Sequence, residues 1–121
     1  MPSALQKKGT DGEHIALRYL ESLGYRCLNQ QWHCRYGELD LIMLDQGELV
    51  FVEVKMRESN RIAHPEDMIN AQKRSRLSKT ALSYIQKNRL EEHFWRFDTV
   101  AITGNRLHYD LEHFRDTIRE E

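Results

Sequence analysis

Cysteine and proline are nearly absent from this 121-residue chain, with two of each, and each scarcity excludes a class of architecture. Two thiols cannot staple a small coreless domain with a disulfide framework. Cys27 and Cys34, seven positions apart, could form one disulfide or half of a zinc site, and neither reading is strong. His33 is adjacent, but His14, His64, His93, His108 and His113 show no close metal-binding spacing, and a tetrahedral site needs four ligands. Reduced structural thiols are the expected state. The two prolines, Pro2 and Pro65, lie outside every periodic segment, Pro65 marking a turn before a basic stretch. Long apolar runs are missing too: no window approaches the ~18 uninterrupted apolar residues of a membrane span, which predicts a soluble, cytoplasmic chain with no membrane partner. With no internal repeat, low-complexity run or Pro/Ser-rich linker, a single domain over residues 1–121 is expected.

A large excess of either charge is also lacking. The net charge of −1 excludes a uniformly cationic coat for nucleic acid. The average conceals an asymmetry, because residues 55–89 carry nine Lys/Arg against three acids, or +6, leaving −7 for the remainder. A basic stripe can therefore meet phosphates on a chain that is neutral overall.

What is present is clear hydrophobic periodicity. Ile15, Ala16, Tyr19, Leu20 and Leu23 recur at helical spacing before Gly24, predicting a helix over 10–23. Strands are expected over 25–32, 37–44 and 49–56, the last two joined by a turn at Gln46-Gly47. Leu77, Ala81, Leu82, Tyr84 and Ile85 form the stripe of a second helix over 70–88. A strand over 94–102, a turn at Gly104-Asn105, a short strand over 106–109 and a charged helix from 110 to the end complete the order αβββαββα. The fold class is α/β.

Counting outward from a two-residue loop pairs Leu44 with Leu49, Ile42 with Phe51, Asp40 with Glu53 and Glu38 with Lys55, all on one face. Opposed Cβ atoms lie ~4.5–5.5 Å apart, so the two carboxylates repel. A divalent cation such as Mg²⁺ would relieve that repulsion, and Lys55 on the same face could position or deprotonate a water. The bland alternative is a solvent-facing sheet edge with a Glu38–Lys55 ion pair. Against it, Val50, Val52, Val54 and Met56 make the other face wholly apolar, as in a central strand covered on both sides.

Glu13 either completes a capping box begun by Thr10 or, lying on the packed side with Ala16 and Leu20, reaches the metal site. Lys73, Arg74, Arg76 and Lys79 crowd the first turns of the second long helix and, with Arg57, are candidate phosphate contacts; a solvated face is the alternative. Asp98 interrupts an apolar strand and is read as a buried hydrogen-bonding acid or, like Glu38, as support for the site. Trp32 and Trp95 suit the core better than base stacking.

The spread of Gly9, Gly12-Glu13, Ala16, Tyr19-Leu20, Gly24-Tyr25, then Tyr36-Gly37-Glu38-Leu39-Asp40-Leu41-Ile42, Val50-Phe51-Val52-Glu53-Val54-Lys55-Met56-Arg57, Lys73, Arg76-Leu77 and Arg96-Phe97-Asp98 closely resembles the YraN family of small bacterial proteins. That family is similar to archaeal Holliday junction resolvases and to the restriction-endonuclease-like superfamily, whose core is αβββαβ around a mixed sheet. The resemblance implies a PD-(D/E)xK nuclease: Asp40 as motif aspartate, Glu53 as second metal ligand, Lys55 as motif lysine and Glu13 as the first-helix glutamate, with Mg²⁺ or Mn²⁺ as cofactor. Leu39 stands where the proline of the motif name would be, which removes no catalytic group. Branched DNA is the implied substrate and a homodimer the implied assembly. The rival expectation is a nuclease-like module that binds DNA structure without turnover. Nothing in the sequence names a protein partner such as a DNA helicase.

Overall fold

In the computed structural model, which describes residues 10–58 and 71–118, Thr10 caps the first helix by accepting the Glu13 amide on its hydroxyl at 3.1 Å. Helix α1 spans Asp11–Ser22 and buries Ile15, Ala16 and Leu20. Three strands follow, β1 (Arg26–Cys34), β2 (Gly37–Asp45) and β3 (Glu48–Arg57). The β2–β3 turn at Gln46-Gly47 uses positive φ at both residues, 52° and 89°, the geometry that matches a hairpin's right-handed twist. Helix α2 (Ala71–Lys87) then crosses to β4 (Trp95–Gly104), which runs parallel to β3 from Leu49↔Trp95 to Arg57↔Thr103, and β5 (Tyr109–Phe114) closes the order β1-β2-β3-β4-β5. Among the described residues only the β3–β4 pair is parallel, so the sheet is mixed, with β3 at its centre.

Period-two alternation along β3 divides the core between two helices. Val50 and Val52, with Val54 and Met56, pack against α1; Leu49 and Phe51 pack with Leu77, Ala81, Tyr84 and Ile85 of α2. Trp32 and Trp95 belong to the α2 side, where Trp32 meets Tyr84 edge-on at 5.1 Å and Trp95 meets Phe51 at 5.8 Å. Both are half-buried residues packed against that core.

Among the expected elements, those after Gly104 differ. The short strand over 106–109 and the terminal helix are replaced by β5, paired with β4 from Gly104↔Tyr109 to Thr99↔Phe114. Asp110 and Glu112 point to solvent while Leu111 and His113 are partly covered, the two-residue period of an edge strand. The density of charge suggested a helix, but the alternation decides. Residues 119–121 and the expected Pro65 turn lie outside the described residues.

Candidate active site

The β2–β3 ladder follows the counted register from Asp45↔Glu48 to Leu41↔Val52. There the strands part. Below Leu41, β2 keeps its bonds to β1, through Leu39↔Trp32, Glu38↔His33 and Gly37↔Cys34, while β3 continues beside β4 to Arg57. At the fork, Asp40 Oδ2 accepts the Val54 N–H at 2.9 Å, so a side chain satisfies an amide that the ladder would otherwise pair with backbone. The alternation also slips: Leu39 packs on the α2 side although Leu41 and Met43 pack on the α1 side, and Gln31 on β1 has φ of 52°. Asp40/Glu53 and Glu38/Lys55 are therefore not ladder pairs. Lys55 goes to Glu53 instead.

Electrostatics at the fork separate the acids from the bases. Burial pushes the Asp40 carboxyl up, the Val54 amide partly offsets this, and repulsion from Glu53, Glu13 and Glu38 adds to it, leaving Asp40 at about 7. Glu53, 12% exposed, holds two cations on one oxygen: Lys73 Nζ at 2.5 Å and Lys55 Nζ at 3.6 Å from Oε2. Burial and the adjoining Lys73 ammonium lower Lys55. For Lys73, burial acts downward too, but the Glu53 carboxylate holds it above its ordinary range. The two lysines are thus shifted in opposite directions, Lys73 up and Lys55 down.

Glu13 Oε1 accepts a bond from Gln31 Nε2 at 2.7 Å, so its carboxylate turns toward β1 and the fork rather than back to the cap. The approach of α1 depends on Gly12, where an added Cβ would stand 3.0 Å from Met56 Cβ. A cleft of about 470 Å³ opens over Asp40 and Glu53, walled by Lys73 and Arg76 of α2 and by the Arg35-Tyr36-Gly37 turn, with Glu38 at its exposed rim.

Thus Asp40, Glu53, Lys55 and Lys73 meet, and Glu13 and Glu38 act on Asp40 through charge. Arg76 reaches the cleft and Lys79 an adjoining groove, while Arg74 and Arg57 are exposed and line neither. Asp98 gives the site no support. It is fully buried among Arg96, His113 and the Asp116 amide, and Arg96 in turn bonds Tyr25 at the foot of α1. Sequence reasoning missed Gln31, Arg35 and the chemistry of Tyr36; turn residues before Gly37 were the available signal.

The carboxylates supply hard oxygens, suited to Mg²⁺ or Mn²⁺. Among the described residues, no three His, Cys, Asp or Glu side chains converge as a ready-made ligand set. A cation here would rest on two carboxylates and complete its shell with water and substrate oxygens, as Mg²⁺ commonly does.

A family described as "Uncharacterised protein family UPF0102" matches residues 12–102. A UPF0102 protein of Syntrophus aciditrophicus is 43% identical over 97 residues, covering 80% of this chain and 76% of the relative. One from a Sulfurihydrogenibium species is 41% identical over 101 residues, 84% and 88% of the two chains. Another, of Nitrosococcus oceani, is 36% identical over 121 residues, covering 99% and 98%. The chain belongs to the uncharacterised protein family UPF0102, the YraN family that its motifs resemble.

Proposed function

We propose that the chain is a divalent-cation-dependent endonuclease of the PD-(D/E)xK type, restriction-endonuclease-like in fold, hydrolysing phosphodiester bonds in branched DNA. The observation that carries this reading is the fork itself, where Asp40, Glu53 and Lys73 line one cleft and Lys55 Nζ lies 3.6 Å from Glu53 Oε2. The order α1-β1-β2-β3-α2-β4 supports it as well.

Asp40 and Glu53 would hold Mg²⁺ or Mn²⁺, with Glu13 adding negative charge from α1. Such an ion, when bound, would polarise the phosphoryl oxygens and stabilise the leaving oxygen. Lys55, its pKa lowered, accepts the proton of the attacking water. Lys73 keeps its charge, orients Glu53 and presents a fixed cation to the phosphate. A symmetric dimer of such sites suits two cuts across one junction.

One observation favours the second reading, a DNA-binding module without turnover: Lys73 already neutralises Glu53 at 2.5 Å. Incubating the protein with branched, flapped, single-stranded and duplex DNA, and with RNA, in Mg²⁺ or Mn²⁺ separates the two. Cleavage of DNA that disappears in Asp40→Ala and in Lys55→Ala supports the enzyme. Binding without cleavage in either metal supports the module, and neither activity removes both.

A further inference from the structure

The catalytic cleft does not end at the carboxylates. The turn between β1 and β2 that walls it also walls a second groove of about 590 Å³, and Cys34, Arg35 and Tyr36 line both. Across this groove runs one stripe of α2, in which Lys79, Ser83 and Lys87 recur every fourth residue. At 1.5 Å rise per residue, Lys79 and Lys87 stand about 12 Å apart along the axis. Arg76, one turn before Lys79, lines the catalytic cleft. The cations Arg76, Lys79 and Lys87 therefore form a rail leading away from Asp40 and Glu53.

Opposite the rail stands an aromatic platform. Arg35 lies over the Tyr36 ring, its Cζ 4.9 Å from the centroid, and its Nη2 donates to the Tyr36 hydroxyl at 2.8 Å. Tyr36 is 37% exposed, whereas Tyr25 and Tyr84 are buried in the core. A partly open ring braced by a guanidinium, facing a row of cations, has the two parts of a single-strand site: a stacking surface and a charged backbone track. Bases in an intact duplex have no free face to offer it.

We infer that this groove binds an unpaired nucleic-acid strand, with a base on Tyr36 and phosphates on Lys79 and Lys87, and feeds it into the catalytic cleft. The binding step stands on the groove alone; its delivery to a cutting site rests on the nuclease reading.

Fluorescence anisotropy in EDTA tests it without cleavage, using labelled single-stranded DNA, single-stranded RNA of the same sequence and blunt duplex DNA. Either single strand is expected to bind at least tenfold tighter than the duplex, and the tighter of the two identifies the sugar. Tyr36→Ala weakens that binding roughly tenfold or more, while Tyr36→Phe, which keeps the ring, restores it. Lys87→Gln reduces the salt slope by about 0.7. Equal affinity for duplex and single strand, or a Tyr36→Ala protein that melts normally and binds unchanged, overturns the groove. Loss of cleavage in every metal with this binding intact overturns the nuclease reading instead.

Discussion

Asp40 is the residue where folding and the proposed function oppose each other. Its carboxyl is held at about 7 by burial and by the surrounding acids, against ~3.9 in an unfolded chain. Between those values the folded state retains a proton that the unfolded state has released, so stability falls as pH rises from about 4 to about 7 and stays low above. Asp40→Asn keeps an oxygen to accept the Val54 amide and never ionises. In EDTA, its melting temperature is expected to exceed that of the unaltered protein at pH 8, and the difference to vanish near pH 4. A difference independent of pH would remove the assigned cause. Lys55→Met is the functional counterpart, expected to lose ~10²–10⁴-fold in cleavage rate while melting normally, since a proton acceptor contributes about that much. The place of Lys55 beside Glu53 was legible from the two-residue period of β3. The fork was not, because which acceptor takes the Val54 amide depends on the Asp40 side chain, and counting along a ladder assumes that backbone takes it.

At the scale of elements, the strand the sequence disguised, β5, is tied to the rest of the fold through Asp98 of β4. Asp98, fully buried on β4, accepts from Arg96 Nε at 2.9 Å and the Asp116 amide at 3.0 Å, and lies 2.8 Å from His113 Nε2 on β5. His113 Nδ1 lies 3.1 Å from the Tyr19 hydroxyl on α1, and Arg96 reaches Glu48 on β3 at 2.6 Å. Burial alone would raise the Asp98 carboxyl, yet His113, Arg96 and the Asp116 amide pull it below its ordinary range. Asp98→Ala leaves Arg96 and His113 without their shared partner and is expected to cost about 3–5 kcal/mol in denaturant unfolding. The same variant tests the placement, because the bonds of Asp98 go to Arg96, His113 and the Asp116 amide and none of these is a fork residue. Cleavage per folded molecule should be unchanged, and a lost rate at retained stability would return Asp98 to the site. The helices and the first four strands were readable because each carries a strong apolar period. In β5, Asp110 and Glu112 alternate with Leu111 and His113, and the value of that alternation comes from Tyr19 and Asp98, neither near in sequence.

Among the described residues of the molecule, two helices cover opposite faces of one sheet, and α2 carries Lys73, Arg74, Arg76, Lys79 and Lys87 of the basic third of the chain. The split of +6 and −7 then has a spatial meaning, since cations on α2 border the cleft that the carboxylates make acidic. Sequence could assign the charge to a helix but could not say which cations face the cleft, because the rotation of α2 is set by Leu77, Ala81, Tyr84 and Ile85 packing on Phe51 and Ile42. That rotation turns Arg76 into the cleft and leaves Arg74, two residues earlier, lining neither groove. The two arginines are equal in charge, exposure and helix, so they form a matched pair. If phosphate contact requires the cleft, Arg76→Gln lowers the salt dependence of DNA binding by about 0.7 to 0.9 in log–log slope, one phosphate contact, and Arg74→Gln leaves it unchanged. Titrations at several salt concentrations measure this. Equal losses from both would mean that DNA feels only the diffuse charge of α2, and that the cleft geometry plays no part in holding it.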